Sequence, residues 1–431
     1  AGVEVTLLDW QLASADQFHD VDLLVAALGE PARVVGLSCM ADGLPLLVRL
    51  VARLREAFPD RVVIAGGPGP SSVAGPLLEL VPGLDVVVCG EGEQTAVELF
   101  ARLRAGGLAL AVGCPGTLVR WQGAVHVGPP RPRLRDLDGL PLPAYDAVDL
   151  GRYPEISLVT SRGCSYQCSF CDAATRWGRQ RVTRSLSRVL EELHLLTAAH
   201  GVGHVHLEDD TFLQPRGRVT EFCRRVREEL PGLTWGCLGR ADALDAPLVD
   251  TLAAAGCRSL FLGLESGSDA LLQKIGKGFD AATALDKALL VASRFAVRAY
   301  FIWGFPDETW RDFLETFVTV GLLRAAGVEA CYSLLAPFPG TPLLAHLSPA
   351  DLRRLPLYWD LPFPCLFRAA DVPAERQLIA AHPELFPGFR TLPTPRWEDK
   401  RAFATRYWQA TLREVFTAPP DRENRPAADM D

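Results

Sequence analysis

The sequence predicts an α/β chain: a doubly wound parallel sheet, then an incomplete (β/α)6 barrel and a short C-terminal extension. Three observations carry this. Short β-branched runs ending in glycine or a polar residue recur through the first half and alternate with helical periodicity, the pattern of strands covered on both faces by crossover helices. A Pro-rich, aperiodic stretch at 127–149, "VGPPRPRLRDLDGLPLPAYDAVD", then interrupts the pattern and reads as a linker. Beyond it six strand–helix steps follow one another, fewer than the eight of a closed barrel.

In the first half, 4–9 (EVTLLD), 33–38 (RVVGLS), 61–66 (RVVIAG) and 85–90 (DVVVCG) read as strands. Leu47, Leu50, Val51, Leu54 and Phe58 recur at helical spacing, and 94–105 (QTAVELFARLRA) fits a second helix. Ligands of such sheets sit beyond the carboxyl ends of the strands, where "GGPGPSS" (66–72) and "CGEGEQ" (89–94) lie. Gly66, Gly67 and Gly92 would let a large flat ligand or a phosphate approach the backbone, although tight turns alone would use glycine equally. In the second half, strands are expected at 156–160, 203–208, 233–238, 259–264, 297–303 and 329–335. Helices are expected at 186–200, 217–229, 246–255, 281–294 and 308–325. The expected division is a domain over 1–130, a linker over 131–150, the barrel over 151–345, and an extension over 346–431 placed to act as a substrate lid.

A chain of 431 residues, 48% hydrophobic, can fill two cores. Its net charge of −8 argues against a phosphate-tracking nucleic-acid surface. No apolar run reaches the roughly 18–20 residues that span a bilayer, and no charged-then-apolar leader precedes the first strand. Eleven cysteines in this length are no secreted disulfide framework, so a reducing cytoplasm is the expected location. The acid excess would suit a cationic small-molecule substrate.

The chemistry concentrates in "RGCSYQCSFCDAATRWGRQR" (162–181), where Cys164, Cys168 and Cys171 follow C-x3-C-x2-C directly after the first barrel strand. A structural zinc would need a fourth ligand, usually from a second knuckle, and no other C-x2-C exists in the chain. A redox pair would need only the C-x2-C. An iron–sulfur cubane held by three thiolates leaves one iron open, which suits a site that chelates a cofactor or substrate. The iron–sulfur reading is the one the spacing supports.

This stretch, after the first strand of a six-step barrel, resembles the radical S-adenosylmethionine (SAM) superfamily over about 150–345. The resemblance implies that Cys164, Cys168 and Cys171 hold a 4Fe-4S cluster whose open iron takes the amino and carboxylate groups of SAM. It implies that one electron cleaves SAM to methionine and a 5′-deoxyadenosyl radical, delivered by a reductant such as flavodoxin or ferredoxin. Phe170 matches the position bordering the adenine. "LEDDTF" (208–213) places Glu208 and Asp209 where relatives meet the amino end of SAM; a solvated strand end or a helix cap is the plain alternative. Arg240 matches an arginine directed at the SAM carboxylate, a task that suits a guanidinium fork. Glu265 and Ser266, in "GLESGSDALLQKIGKG", match residues near the ribose and carboxylate.

By the same logic the first half is similar to the cobalamin-binding domain that precedes the barrel in one large subgroup. Two departures bear on that likeness: the chain has no D-x-H-x-x-G, and Gly69 stands where relatives often carry histidine. Cobalamin is therefore a doubtful cofactor at this stage. His204 and His206 alternate on a strand and read as a half-buried face. Cys365, in the aromatic tail, is a candidate hydrogen-atom donor or lid thiol. Every such reading abstracts hydrogen from an unactivated carbon, and the outcomes then divide. One is methyl transfer from methylcobalamin. The other is loss of water from a diol radical, as in radical SAM dehydratases of aminosugars in antibiotic biosynthesis. The short tail, the depleted "GGPGPS" loop and the acidic charge lean toward dehydration. A non-catalytic cobalamin-binding sensor would leave Arg240 and Glu265 unexplained.

Overall fold

The computed structural model describes residues 3–14, 16–347 and 372–417. In the first half α1 (Val21–Leu28) leads into β1 (Val34–Ser38), α2 (Leu44–Ala57) and β2 (Val62–Gly66). Two short helices, α3 (Pro68–Ser72) and α4 (Ala74–Leu80), precede β3 (Val86–Val88), α5 (Gly92–Ala111), β4 (Thr117–Trp121) and β5 (Ala124–Val127). β1, β2 and β3 are parallel, and β4 and β5 extend the sheet as an antiparallel hairpin. That hairpin was not anticipated, yet "TLVRWQGAVHV" carries its signal, an alternating run broken by Gln122-Gly123. The expected strand at 4–9 is not one. β1 stands directly beside β2, and the first run makes no ladder among the described residues, leaving Val5 76% exposed.

The barrel comprises β6 (Ser157–Leu158), β7 (Ser161–Arg162), α6 (Ala173–Trp177), β8 (Val182–Thr183), α7 (Leu186–His200), β9 (His204–Leu207) and α8 (Arg216–Glu229). It continues through β10 (Thr234–Gly239), α9 (Ala246–Ala254), β11 (Cys257–Glu265), α10 (Asp269–Lys274), α11 (Ala281–Ala292), β12 (Ala296–Trp303), α12 (Trp310–Ala325) and β13 (Glu329–Leu334). Six parallel strands run in the order β13-β12-β11-β10-β9-β6, an open barrel as expected. Alternate residues such as Val205, Trp235, Leu260, Phe301 and Tyr332 are buried with helix residues including Phe222, Leu252 and Phe317. The helices thus stay on the convex side, and the other residues of each strand face the hollow.

The C-terminal segment ties both halves together. α13 (Pro373–Ala381) lies beside α2, where the buried Glu375 takes Arg49 at 2.8 Å and His19 at 3.0 Å. Ile379, Leu385, Phe386 and Phe389 fill the core of the first sheet, while Leu392 joins Phe305 and Leu335 at the barrel mouth. α14 (Trp397–Thr417) then packs on the barrel, burying Ala404 and stacking Trp397 on Trp303 at 5.8 Å. Lys400, fully buried, bonds Glu308 Oε2 at 2.9 Å and Thr394 Oγ1 at 2.8 Å. These residues form a strap across two cores; Cys365 lies outside the described residues.

Candidate active site

The cysteine loop hangs from β7 and is fixed by the carboxylates after β9. Asp209, fully buried, accepts from Thr160 N (2.6 Å), Thr160 Oγ1 (2.7 Å), Ser161 N (3.1 Å) and Ser161 Oγ (2.5 Å), with Arg181 at 3.5 Å. The chain itself fills both oxygens. Asp209 therefore braces the strand that delivers the cysteines, a correction to its expected place at the amino end of SAM. Asp210 accepts from Gly163 N at 2.8 Å. Gly163 has φ +96°, and a Cβ there would collide with the Gln180 carbonyl, so the turn into the cysteines requires glycine.

Cys164, Cys168 and Cys171 are free, half-buried thiols. Ser169 N donates to Ile275 O at 2.9 Å, Leu343 N donates to Ser169 O at 3.0 Å, and Cys168 Sγ lies 3.9 Å from Gly276 O. The loop is thus clamped between the segments following β11 and β13. Burial pushes the Cys171 thiol up to about 11 and raises Cys164 as well. Such thiols stay protonated at neutral pH until a metal displaces the proton. Three free thiols on one braced loop, each able to take a different iron, fit a cluster held by three thiolates.

Around this loop the expected SAM residues meet, though with other partners than foreseen. The guanidinium of Arg240 uses Nε and Nη2 on Asp242 (3.0 and 2.9 Å), and Nη2 also donates to Lys277 O. It stacks 3.6 Å from the Tyr166 ring, and Nη1 lies 3.9 Å from Cys168 Sγ. The two-pronged edge expected for a SAM carboxylate is thus occupied by Asp242, and what remains points at the cluster loop. Arg240→Ala should therefore lower iron content together with SAM affinity, measured as iron per chain after reconstitution.

Glu265 sits in the left-handed region (φ +70°) at an irregularity in the β11–β12 pairing, its side chain folded over Gly263 to meet Lys277 Nζ at 2.8 Å. Non-glycine strain of about 1–3 kcal/mol persists only where the surroundings enforce it, typically at sites. Ser266, fully buried, bonds Thr316 Oγ1 at 2.8 Å and accepts from Ser268 N, so its side chain anchors α12 instead of facing the mouth. Glu208 keeps half its surface free and meets His206 Nδ1 at 2.9 Å. Phe170 packs edge-on to Phe305 at 5.7 Å.

The first sheet reaches the cysteine loop directly. Arg162, two residues before Cys164, pairs with Glu91 (2.7 Å) and Glu93 (2.5 Å) of "CGEGE". The second Glu91 oxygen accepts from Leu134 N at 2.7 Å. Spacing within "CGEGE" gave no hint of this pairing, which only tertiary contact creates. Beside that loop, a cavity of about 190 Å³ opens at the carboxyl ends of β1, β2 and β3, between Ser38, Gly66, Val88 and the α5 residues Leu99 and Phe100. A bare Gly66 in an apolar slot fits a flat ring system. Gly67 has φ +91°, and a Cβ on Gly69 would collide with the Met40 carbonyl, so no larger side chain fits where relatives carry histidine. Gly92 opens α5 with free space around it.

Residues 158–320 match the radical SAM superfamily and residues 1–100 match the B12 binding domain. The chain carries a radical SAM domain and a B12-binding domain. The chain is 31% identical over 302 residues to an uncharacterized methyltransferase of Pyrococcus horikoshii, covering 68% of this chain and 64% of that protein. It is 31% identical over 244 residues to the cobalamin-dependent radical SAM methyltransferase TokK of Streptomyces tokunonensis, 52% of this chain and 35% of that one. The chain therefore spans less than two thirds of these relatives. In fold it is similar to the radical SAM methyltransferase TsrM of Kitasatospora setae, solved with cobalamin and a 4Fe-4S cluster, with a TM-score of 0.69 and 22% identity over 93% of this chain and 84% of that one. The B12-binding match, with the slot beside Gly66, overturns the expectation that cobalamin is doubtful. The two curated relatives are both named as methyltransferases, and the lean toward dehydration finds no counterpart in them. No helix among the described residues is long and apolar enough to cross a membrane.

Proposed function

We propose that this chain is a cobalamin-dependent radical SAM methyltransferase acting on a carbon of a small molecule. The observation that carries the reading is the Arg162 bridge, which joins the "CGEGE" loop of the B12-binding domain to the residue two before the first cluster thiol. Cys164, Cys168 and Cys171 would hold the cluster, and the slot along Gly66 and Leu99 would take part of the corrinoid. Bound together, these groups and SAM supply a radical for hydrogen abstraction and a methyl donor. The chain's own residues do the placing. Asp209 and Arg240 fix the cysteine loop from two sides, and Glu265, held by Lys277, shapes the turn that clamps it. Phe305, Leu335 and Leu392 form an apolar cluster with Ile275 and Phe170 that backs the cysteine loop. A one-electron reductant of the flavodoxin or ferredoxin class completes the system.

The test is purification with and without supplied cobalamin. The reading expects corrinoid to remain with the protein and methylation to require it. Turnover without corrinoid, giving a product lighter by water, would replace it with the dehydrating outcome.

A further inference from the structure

We propose that Glu208 is the substrate-recognising carboxylate of the barrel hollow and takes a protonated amine, so that the substrate is a small cationic molecule. This rests on the reading of the chain as a small-molecule radical enzyme and names the substrate class of that site. Val205 and Leu207 belong to the core on the helical side, so the alternate residues His206 and Glu208 face the hollow. The Glu208 side chain is 44% exposed there.

A solvated strand end would leave this carboxylate loose, whereas here a chain of contacts across the sheet fixes it. His206 Nδ1 lies 2.9 Å from Glu208 Oε1. The fully buried His206 ring lies 4.4 Å from the Phe261 ring, Phe261 carries the Arg298 guanidinium at 4.8 Å, and Arg298 pairs with Glu329 at 2.9 Å. A Cβ on Gly236 would come within 2.7 Å of His206 Cδ2, so bare backbone makes room for the imidazole. Residues of β13, β12, β11 and β9 thus orient one carboxylate, and an acceptor already in place binds a donor at little entropic cost.

The charge of Glu208 is left for a ligand. Among the described residues no lysine or arginine pairs with it, while Arg298 is taken by Glu329 and Arg240 by Asp242. His206 would cancel the charge only when protonated, and a protonated ring would bury an Nε2–H that has no acceptor. A charged donor suits such a carboxylate, because a bond between two ionised groups is roughly twice as strong as a neutral one.

Depth separates this carboxylate from the cluster end of SAM. Cys237 pairs with Leu207, which sets Glu208 beside Leu238, two residues before Arg240. Arg240 Nη1, 3.9 Å from Cys168 Sγ, marks the level of the cluster loop. Two residues of strand span about 6.6 Å. Glu208 therefore lies that much deeper, on the side where a substrate would meet the radical.

The test is saturation-transfer NMR on reconstituted holoprotein with matched probes: cyclohexylamine and 2-deoxystreptamine as cations, cyclohexanol and scyllo-inositol as their neutral counterparts. Binding is read without turnover, so its failure is distinct from a failure of methyl transfer. The amines are expected to bind and the neutral rings not. Glu208→Gln should weaken amine binding about tenfold and Glu208→Asp less, with iron content and SAM affinity held. The comparison of probes on the wild type needs no variant, so it decides the matter should the variants fold poorly. Neutral rings binding as well as the amines, no binding of either amine, or full amine affinity in Glu208→Gln would overturn the proposal. So would a loss of SAM affinity in that variant, which would assign the carboxylate to SAM.

Discussion

Replacing Cys164, Cys168 or Cys171 with alanine is expected to reduce the iron of reconstituted protein from about four atoms per chain to near zero, with loss of the broad absorption near 400 nm. The three thiols occupy one loop whose backbone is bonded to Ile275 on one side and Leu343 on the other. Removing one sulfur leaves the loop with two thiolates where the cluster takes three. SAM cleavage should vanish with the iron. Substituting the free Cys331 instead should leave the iron content intact, which separates loss of a ligand from loss of a thiol. Native protein holding one zinc on all three cysteines would contradict this account.

The second large effect concerns stability. Lys400 and Glu308 are both fully buried, and burial alone would disfavour charge on each. Their bond, with the Thr394 hydroxyl and the Gly304 N–H that donates to Glu308 at 3.0 Å, compensates for that cost. Lys400→Met removes the cation and leaves a carboxylate in the core, at an expected cost of about 3–5 kcal/mol. Chemical denaturation should show this as a lowered midpoint. The double variant Lys400→Met/Glu308→Gln should recover part of the loss, because the remaining group carries no charge. Equal stability of the wild type and Lys400→Met would mean that α14 does not lock to the barrel as described.

What was legible in the sequence follows from how far each signal reaches along the chain. Local patterns carried well: the β-branched runs at 61–66 and 297–303 became β2 and β12. C-x3-C-x2-C placed three thiols on one loop at a strand end. The run at 4–9 has the same composition as a true strand, but a strand exists only through a partner, and sequence periodicity does not supply one. The same limit applies to the site. Arg240 and Glu265 were found by position, yet Asp242 and Lys277, which occupy their polar atoms, were not. Asp209 and Ser266 looked like cofactor ligands because polar residues at strand ends often are; here the chain itself uses their hydrogen-bonding capacity. Lys400 lies 92 residues beyond Glu308, and a lone lysine on a helix shows nothing in sequence of the carboxylate it will meet.

The central claim, that a B12-binding domain and a radical SAM barrel act together in methyl transfer, is tested most directly by quantifying what becomes of SAM. Methyl transfer uses one SAM for the radical and a second to restore the methyl donor. Reconstituted enzyme with its substrate should therefore release 5′-deoxyadenosine and S-adenosylhomocysteine in equal amounts, each matching the methylated product. Release of 5′-deoxyadenosine alone, with a product lacking the methyl group, would contradict the account.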